Sequence, residues 1–206
     1  MSLETELKLS LPESQIEPLK RHPFWLKYSC SSYIFHLGNT YYDTPDMQLN
    51  RAKVALRIRE KNGRYYQTLK TKGESFNGLT RRGEWEWLVA EPELDIEGLK
   101  KVWPAHLPEV DTHALKPLFS TDFDRMCWEI HYPQFEARVE AALDVGWVKV
   151  GGNRSPICEL ELELLEGDER ALEEIARELS KSIELIPSDK SKAERGVELI
   201  ASMPDY

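Results

Sequence analysis

The sequence predicts an α+β fold dominated by β structure: about eight antiparallel strands closed into a barrel around a charged lumen, with a few helices packed outside. Three observations carry this. Charged and apolar side chains alternate with a period of two in seven segments, as strands with one polar and one apolar face do. The sign of the charges changes from strand to strand. One segment, CELELELL, sets Glu159, Glu161 and Glu163 on a single face, where they repel unless cations bind between them. An open sheet with its charged face in water explains any one such strand. The repetition, and the prominence of arginine, favour closure around a polar tunnel.

In chain order, residues 3–9 read as a first strand, with Glu4, Glu6 and Lys8 opposite Leu3, Thr5, Leu7 and Leu9. Residues 11–28 read as helix, kept short or interrupted by Pro18 and Pro23. Residues 33–49 read as a strand ending at the turn Thr44-Pro45-Asp46. Residues 54–60 place Arg57 and Arg59 opposite Val54, Leu56 and Ile58, and Asn62-Gly63 signals a hairpin into residues 65–73. There Thr68, Lys70 and Lys72 share a face, and residues 73–80 read as a longer polar connection. Residues 81–89 set Arg82, Glu84 and Glu86 against Trp85, Trp87 and Val89. A helix over roughly 94–103 is closed by Pro104.

Two further strands set Arg125, Cys127 and Glu129 against Met126, Trp128 and Ile130, then Arg138, Glu140 and Asp144 against Val139, Ala141 and Leu143. Residues 168–185 form the clearest helix, with Leu172, Ile175, Ala176, Leu179 and Ile183 at helical spacing behind a start at Asp168. A last helix covers 191–202. With no repeat or linker, residues 1–206 read as one domain.

A chain of 206 residues with 41% hydrophobic content is long enough for a large folded domain. Its net charge of -9 argues against a nucleic-acid partner. The basic residues cluster on the strands and the acidic ones on helices and loops, so a basic pocket inside an acidic exterior is expected, suited to a small polyanion. Cys30, Cys127 and Cys158 are odd in number and far apart, which points to reduced thiols rather than a disulfide framework or a zinc site. No secretory leader and no membrane-spanning run is present, so a cytoplasmic protein with no membrane partner is expected. The five histidines lack metal-ligand spacing, and Trp85, Trp87 and Trp128 suit the apolar exterior better than base stacking.

The lumen faces combine Lys8, Arg57, Arg59, Lys70, Lys72, Arg82, Arg125 and Arg138 with Glu4, Glu6, Glu84, Glu86, Glu140, Asp144, Glu159, Glu161 and Glu163. Arginine forks and lysine point charges bind phosphate, whereas carboxylates hold Mg²⁺ or Mn²⁺ that bridges to phosphate oxygens. First and last strands of a closed barrel are neighbours, so Glu4, Glu6, Glu159 and Glu161 are expected to converge on one ion. Arg138 has a structural alternative, an ion pair with Glu136 or Glu140, and the alternative for Glu163 is that it simply marks the tunnel rim.

Glu4-Thr5-Glu6-Leu7-Lys8 resembles the ExExK signature of the CYTH, or triphosphate tunnel metalloenzyme, superfamily. Leu56-Arg57-Ile58-Arg59, Leu69-Lys70, Arg82-Gly83-Glu84-Trp85-Glu86, Arg125, the stretch from Glu140 to Asp144, and Glu159-Leu160-Glu161-Leu162-Glu163 follow in family order. Ser191-Lys192 with Arg195-Gly196 resembles the family's C-terminal basic motif. ExExK alone is weak; the ordered set is strong. Residues 117–123 and 157–164 are most similar to bacterial inorganic triphosphatases, which often continue into a helical CHAD domain; none is read in this chain.

The resemblance implies an eight-stranded tunnel that hydrolyses inorganic triphosphate, a small-molecule substrate, with Mg²⁺ or Mn²⁺ as cofactor. It implies phosphate contacts from Arg57, Arg59, Lys70, Lys72, Arg82, Arg125, Lys192 and Arg195. Lys8 would stand near the terminal phosphate, and Lys8, Glu6, Arg57 and Arg59 would be the catalytic set. Glu4, Glu6, Glu159 and Glu161 would hold the first metal, with Glu84, Glu86, Glu140 and Asp144 for a second metal or for orienting water. A class IV adenylyl cyclase is the nearest rival, but Gly151-Gly152-Asn153-Arg154-Ser155-Pro156 stands where that class carries a Leu-Gly-x-Phe run. Thiamine or nucleoside triphosphatases are further enzymatic rivals. A non-catalytic polyphosphate- or nucleotide-binding module is the alternative outside enzymes, and the paired glutamates count against it.

Overall fold

The structure is a computed structural model that describes residues 2–71 and 73–203. Its strands are β1 (Ser2–Ser10), β2 (Ser29–Asp43), β3 (Ala55–Lys61), β4 (Arg64–Lys70), β5 (Glu74–Phe76), β6 (Leu79–Val89), β7 (Lys116–Tyr132), β8 (Ala137–Val150), β9 (Asn153–Glu166) and β10 (Ile186–Pro187). The helices are α1 (Ile16–Lys20), α2 (Pro23–Tyr28), α3 (Gln48–Arg51), α4 (Ile96–Val102), α5 (Arg170–Leu179) and α6 (Lys192–Ala201). Eight strands pair antiparallel in the order β1-β9-β8-β7-β2-β3-β4-β6, and β6 pairs back with β1, which closes the barrel. The expected fold is therefore present, and β5 and β10 are short additions along β6 and β1.

Local chemistry explains most of the turns. Asn62 and Gly63 both adopt positive φ between β3 and β4, as a two-residue hairpin with right-handed twist requires. Asn77-Gly78 repeats that device between β5 and β6, so part of the stretch expected to be a connection is a second hairpin. The helix expected over 168–185 stops earlier, at Leu179, although Ile183 beyond it is still buried. α6 starts at Ser191, which forms a reciprocal capping box with Glu194.

Three apolar clusters fix the geometry. Under α1, α2 and α5, the outer faces of β1, β7, β8 and β9 bury Leu7, Leu9, Ile130, Val139, Leu160 and Leu162, and Trp25 stacks on Trp128 at 4.2 Å. Under α4 and residues 103–115, the outer faces of β3 and β4 bury Leu56 and Leu69, with Trp85 and Trp87 of β6 packed alongside. The tryptophans thus lie outside the barrel, as expected. The third cluster differs in kind. Phe119 and Phe123 of β7, Val148 and Val150 of β8, Ile157 of β9, and Leu37 and Tyr41 of β2 have the same parity as the lumen charges. They form an apolar collar against which α6 packs Ile200, with Ala193 and Val197 beside it, so α6 stoppers part of the barrel. All three cysteines are free, and burial pushes the Cys127 thiol up to about 12 and the Cys158 thiol to about 11. Among the described residues no helix is long and apolar enough to cross a membrane.

Gly196 lets α6 sit down on this collar, because a Cβ there would run into the ring of Phe119. Gly196→Ala improves helix propensity yet overpacks the contact, which costs about 1–3 kcal/mol. A thermal midpoint lower by about 2–4 °C per kcal/mol is expected from circular dichroism. An unchanged or higher midpoint would show that α6 does not seat on Phe119.

Candidate functional site

The lumen is built by register. Glu4 of β1 lies opposite Arg82 of β6, Lys8 opposite Glu161 of β9, and Asp144 of β8 opposite both Arg125 of β7 and Glu159 of β9. On the far side, Arg57 and Arg59 of β3 lie opposite Tyr41 and Asn39 of β2. Lys70 pairs with Glu84, and Thr68 with Glu86, between β4 and β6. These faces surround a cavity of about 630 Å³ lined by Lys8, Arg57, Arg59, Lys70, Arg82, Arg125 and Lys192 among its cations. Its carboxylates include Glu4, Glu84, Glu86, Glu140, Glu161 and Glu163.

Most of these charges are paired across strands. Lys70 donates to Glu4 at 2.8 Å and lies 3.3 Å from Glu84. Arg82 donates to Glu4 and Glu6, each at 2.8 Å. Burial alone would raise the Glu4 carboxyl, but Lys70 and Arg82 overcome it and hold the group well below the usual range. Glu6 moves the other way, because burial and the nearby Glu161 outweigh Arg82. Lys8 donates to the Lys190 carbonyl at 3.1 Å and stands 4.0 Å from Glu6.

Asp144, Glu159 and Glu161 form the tightest group, each offering a carboxylate oxygen within 4.8 Å of the others. Lys192, the first residue of α6, enters this group. It pairs with Asp144 at 2.7 Å, with Glu161 at 3.0 Å, and with Glu159. Arg125 donates to Asp144 at 2.7 Å and to Glu161 at 2.6 Å. Glu161 is held far below the usual range: burial opposes its charge, and Lys192 and Arg125 prevail. Two buried carboxylates and one half-buried one, offering hard oxygens in this arrangement, fit a divalent cation. The four carboxylates expected around one ion are thus arranged differently. Glu159 and Glu161 assemble with Asp144, while Glu4 and Glu6 are drawn toward Arg82 by the β1–β6 pairing that completes the ring.

The second proposed acidic set is dispersed. Glu84 faces Lys70, Glu86 accepts from Thr68 at 2.9 Å, and Glu140 accepts from the Tyr33 hydroxyl at 2.6 Å. Glu163 is more than a rim marker. Glu6, Glu163, Glu140 and Glu129 lie directly opposite one another in a row across four strands. Burial and the charge of Glu4 push the Glu163 carboxyl up to about 7.

Neither Arg57 nor Arg59 has a carboxylate closer than 4.0 Å among the described residues. Arg57 is 4.0 Å from Glu84, shares a long 3.4 Å contact with the Tyr41 hydroxyl, and its buried Nε has no partner among the described residues. Arg59 is lowered to about 10 by burial and by the neighbouring Arg57 and Arg125.

Arg195 reaches Glu159 at 3.1 Å and lines a second cavity of about 590 Å³ with Ser10, Lys190 and Glu198. Arg138 leaves the cationic set: half-exposed at the barrel end, it pairs with Glu129 at 3.0 Å and Glu166 at 3.6 Å rather than with Glu136 or Glu140. Lys72 lies outside the described residues. Sequence reasoning missed the β2 contribution, because Phe35, Leu37 and Tyr41 break the charge alternation on the face that supplies Asn39. The polar Asn39 and Asp43 two residues either side of Tyr41 were the available signal.

Lys192→Met leaves the three carboxylates without their shared ammonium. Breaking a buried ionic cluster at one partner costs about 3–5 kcal/mol. Urea unfolding at pH 7.5 in metal-free buffer is expected to show that loss, and a stability equal to the parent's would mean Lys192 is not the organising cation.

A family model for the CYTH domain matches residues 2–197. The inorganic triphosphatase of Haemophilus influenzae is 34% identical over 199 residues, 95% of this chain and 54% of that protein, so the chain spans about half the length of this curated relative. Among solved structures, a Hippeastrum protein studied as an adenylyl cyclase, and described as having a dominant triphosphatase activity, superposes with a TM-score of 0.64. It is 20% identical, with 95% of both chains covered. The PH1819 protein of Pyrococcus horikoshii OT3 gives 0.59 at 20% identity, covering 95% and 98% of the two chains. The Mimivirus capping-enzyme triphosphatase gives 0.51 at 11% identity, covering 89% and 90%. These structures share the fold. With the family match running almost from end to end, this chain belongs to the CYTH domain family.

Proposed function

We propose that this chain hydrolyses inorganic triphosphate to pyrophosphate and phosphate inside the tunnel, with a divalent metal. The observation that carries the reading is the asymmetry of the lumen. One wall presents two buried guanidiniums, Arg57 and Arg59, with no carboxylate closer than 4.0 Å among the described residues; the same ring holds a tight carboxylate trio, Asp144, Glu159 and Glu161. An anion rich enough in charge to engage the first while sharing a cation with the second is a polyphosphate. The name of the Haemophilus relative agrees with it.

In this reading Arg57 and Arg59 grip the phosphate chain, and Lys70, Arg82 and Arg125 complete the cationic wall. Lys8 stabilises charge at the terminal phosphate. Water, oriented by a lumen carboxylate, attacks the terminal phosphorus in line, and the bond to the bridging oxygen breaks to release pyrophosphate. Asp144, Glu159 and Glu161, with Glu4 and Glu6 nearby, would hold Mg²⁺ or Mn²⁺, which supplies Lewis-acid neutralisation of phosphate oxygens. A cytoplasmic location goes with the reading, supported by three free thiols.

The test is phosphate release from inorganic triphosphate, ATP and thiamine triphosphate, with Mg²⁺, Mn²⁺ or EDTA, alongside detection of cyclic AMP. Metal-dependent turnover favouring inorganic triphosphate is expected. Glu161→Gln and Glu6→Gln should each lower kcat/KM by roughly 10²-fold, the scale of removing one preorganised charge from a polar site. Cyclic AMP as product, or binding without turnover, would sink the hydrolase reading.

A further inference from the structure

Among the described residues, each lumen cation has a carboxylate within 4.0 Å, with one exception. Arg59 is held by an amide: its Nε donates to Asn39 Oδ1 at 2.9 Å. The amide is fixed in turn, since Asn39 Nδ2 donates to Thr121 Oγ1 at 3.1 Å. Asn39 is 3% exposed and Thr121 1%. Register explains the triad. Asn39 lies directly opposite Arg59 on β3 and directly opposite Thr121 on β7, so the three side chains form one row across three adjacent strands. The orientation of the amide is forced, because a guanidinium only donates and must meet the oxygen.

Two consequences follow from chemistry. With Nε engaged, both terminal nitrogens of Arg59, which have no hydrogen-bond partner among the described residues, remain for a ligand in the cavity it lines. An amide also accepts a hydrogen bond without neutralising the charge, unlike the carboxylates that hold Lys70, Arg82, Arg125 and Lys192. We propose that Asn39, locked by Thr121, is a positioning and specificity-determining residue: it aims Arg59 at the phosphate chain and leaves the charge of that guanidinium without a counter-charge, so that the tunnel selects highly charged anions. The crowding of Arg59 by Arg57 and Arg125 is the stored repulsion such an anion relieves. The inference rests on the triphosphate reading for the identity of the anion.

Asn39→Asp is the discriminating variant, because it keeps the shape and the acceptor but neutralises Arg59. Expected are a KM for inorganic triphosphate raised about 10- to 100-fold, the worth of a hydrogen bond to a charged group, and a kcat within about threefold of the parent. The ligand-free protein should melt at a higher temperature than the parent in metal- and phosphate-free buffer, whereas loss of a merely structural residue would lower it. Thr121→Val should raise KM in the same direction, and Thr121→Ser should restore it. If the parent turns over triphosphate and Asn39→Asp leaves KM unchanged, the positioning role is overturned. If the parent turns over nothing, the hydrolase reading fails instead. The melting comparison then still decides: a midpoint at or below the parent's rejects the role of leaving Arg59 without a counter-charge, and one above it supports that role.

Discussion

Neutralisation of charge inside a closed wall is the constraint on which this molecule depends. Removing a carboxylate or an ammonium from water is costly, and a barrel does this to more than a dozen groups at once. Cross-strand pairing offsets the cost only when the register is right. Arg82 must face Glu4, and Arg125 must face Asp144, for either pair to form. The outer cores under α1, α2, α4 and α5 supply the apolar burial that a fold of this size needs. The lumen supplies uniqueness: a one-residue slip of any barrel strand would send its charges into the outer core.

α6 joins these two systems. Its apolar side packs on the collar of Phe119 and Phe123, and its first residue, Lys192, enters the carboxylate trio. The capping box at Ser191 fixes the helix start, and with it the position of the ammonium. Packing at one end of the helix and electrostatics at the other are therefore coupled through ten residues of backbone.

Much of this was legible from residue order. The period-two alternation of Glu4, Glu6 and Lys8, and of Glu159, Glu161 and Glu163, identified strands and their lumen faces, and Asn62-Gly63 marked its hairpin. Pairwise assignment was less accessible. That Asp144, rather than Glu4 and Glu6, joins Glu159 and Glu161 depends on register: both β1 and β8 flank β9, but Lys8 and Ser10 of β1 lie opposite Glu161 and Glu159, whereas Asp144 of β8 lies opposite Glu159. The strand β2 was readable but its lumen face was not: that face is apolar at Leu37 and Tyr41 because it meets the collar, so hydrophobicity there does not mean exterior. Asn77-Gly78 carried the same hairpin signal as Asn62-Gly63, but only three residues precede it as a strand, too few for alternation to register.

The pairing of β1 with both β6 and β9 has a consequence for how the molecule is made. The first strand leaves the ribosome with one neighbour still some seventy residues away and the other about one hundred and fifty away. Contacts so distant in sequence form late and slowly. Until β9 and α6 emerge, Glu4, Glu6 and Lys8 have no finished ring to occupy and stay hydrated. The lumen charges thus assemble no partial cluster during synthesis. A chain cut short before β9 would yield an open, edge-exposed sheet destined for proteolysis or aggregation rather than a weakened barrel.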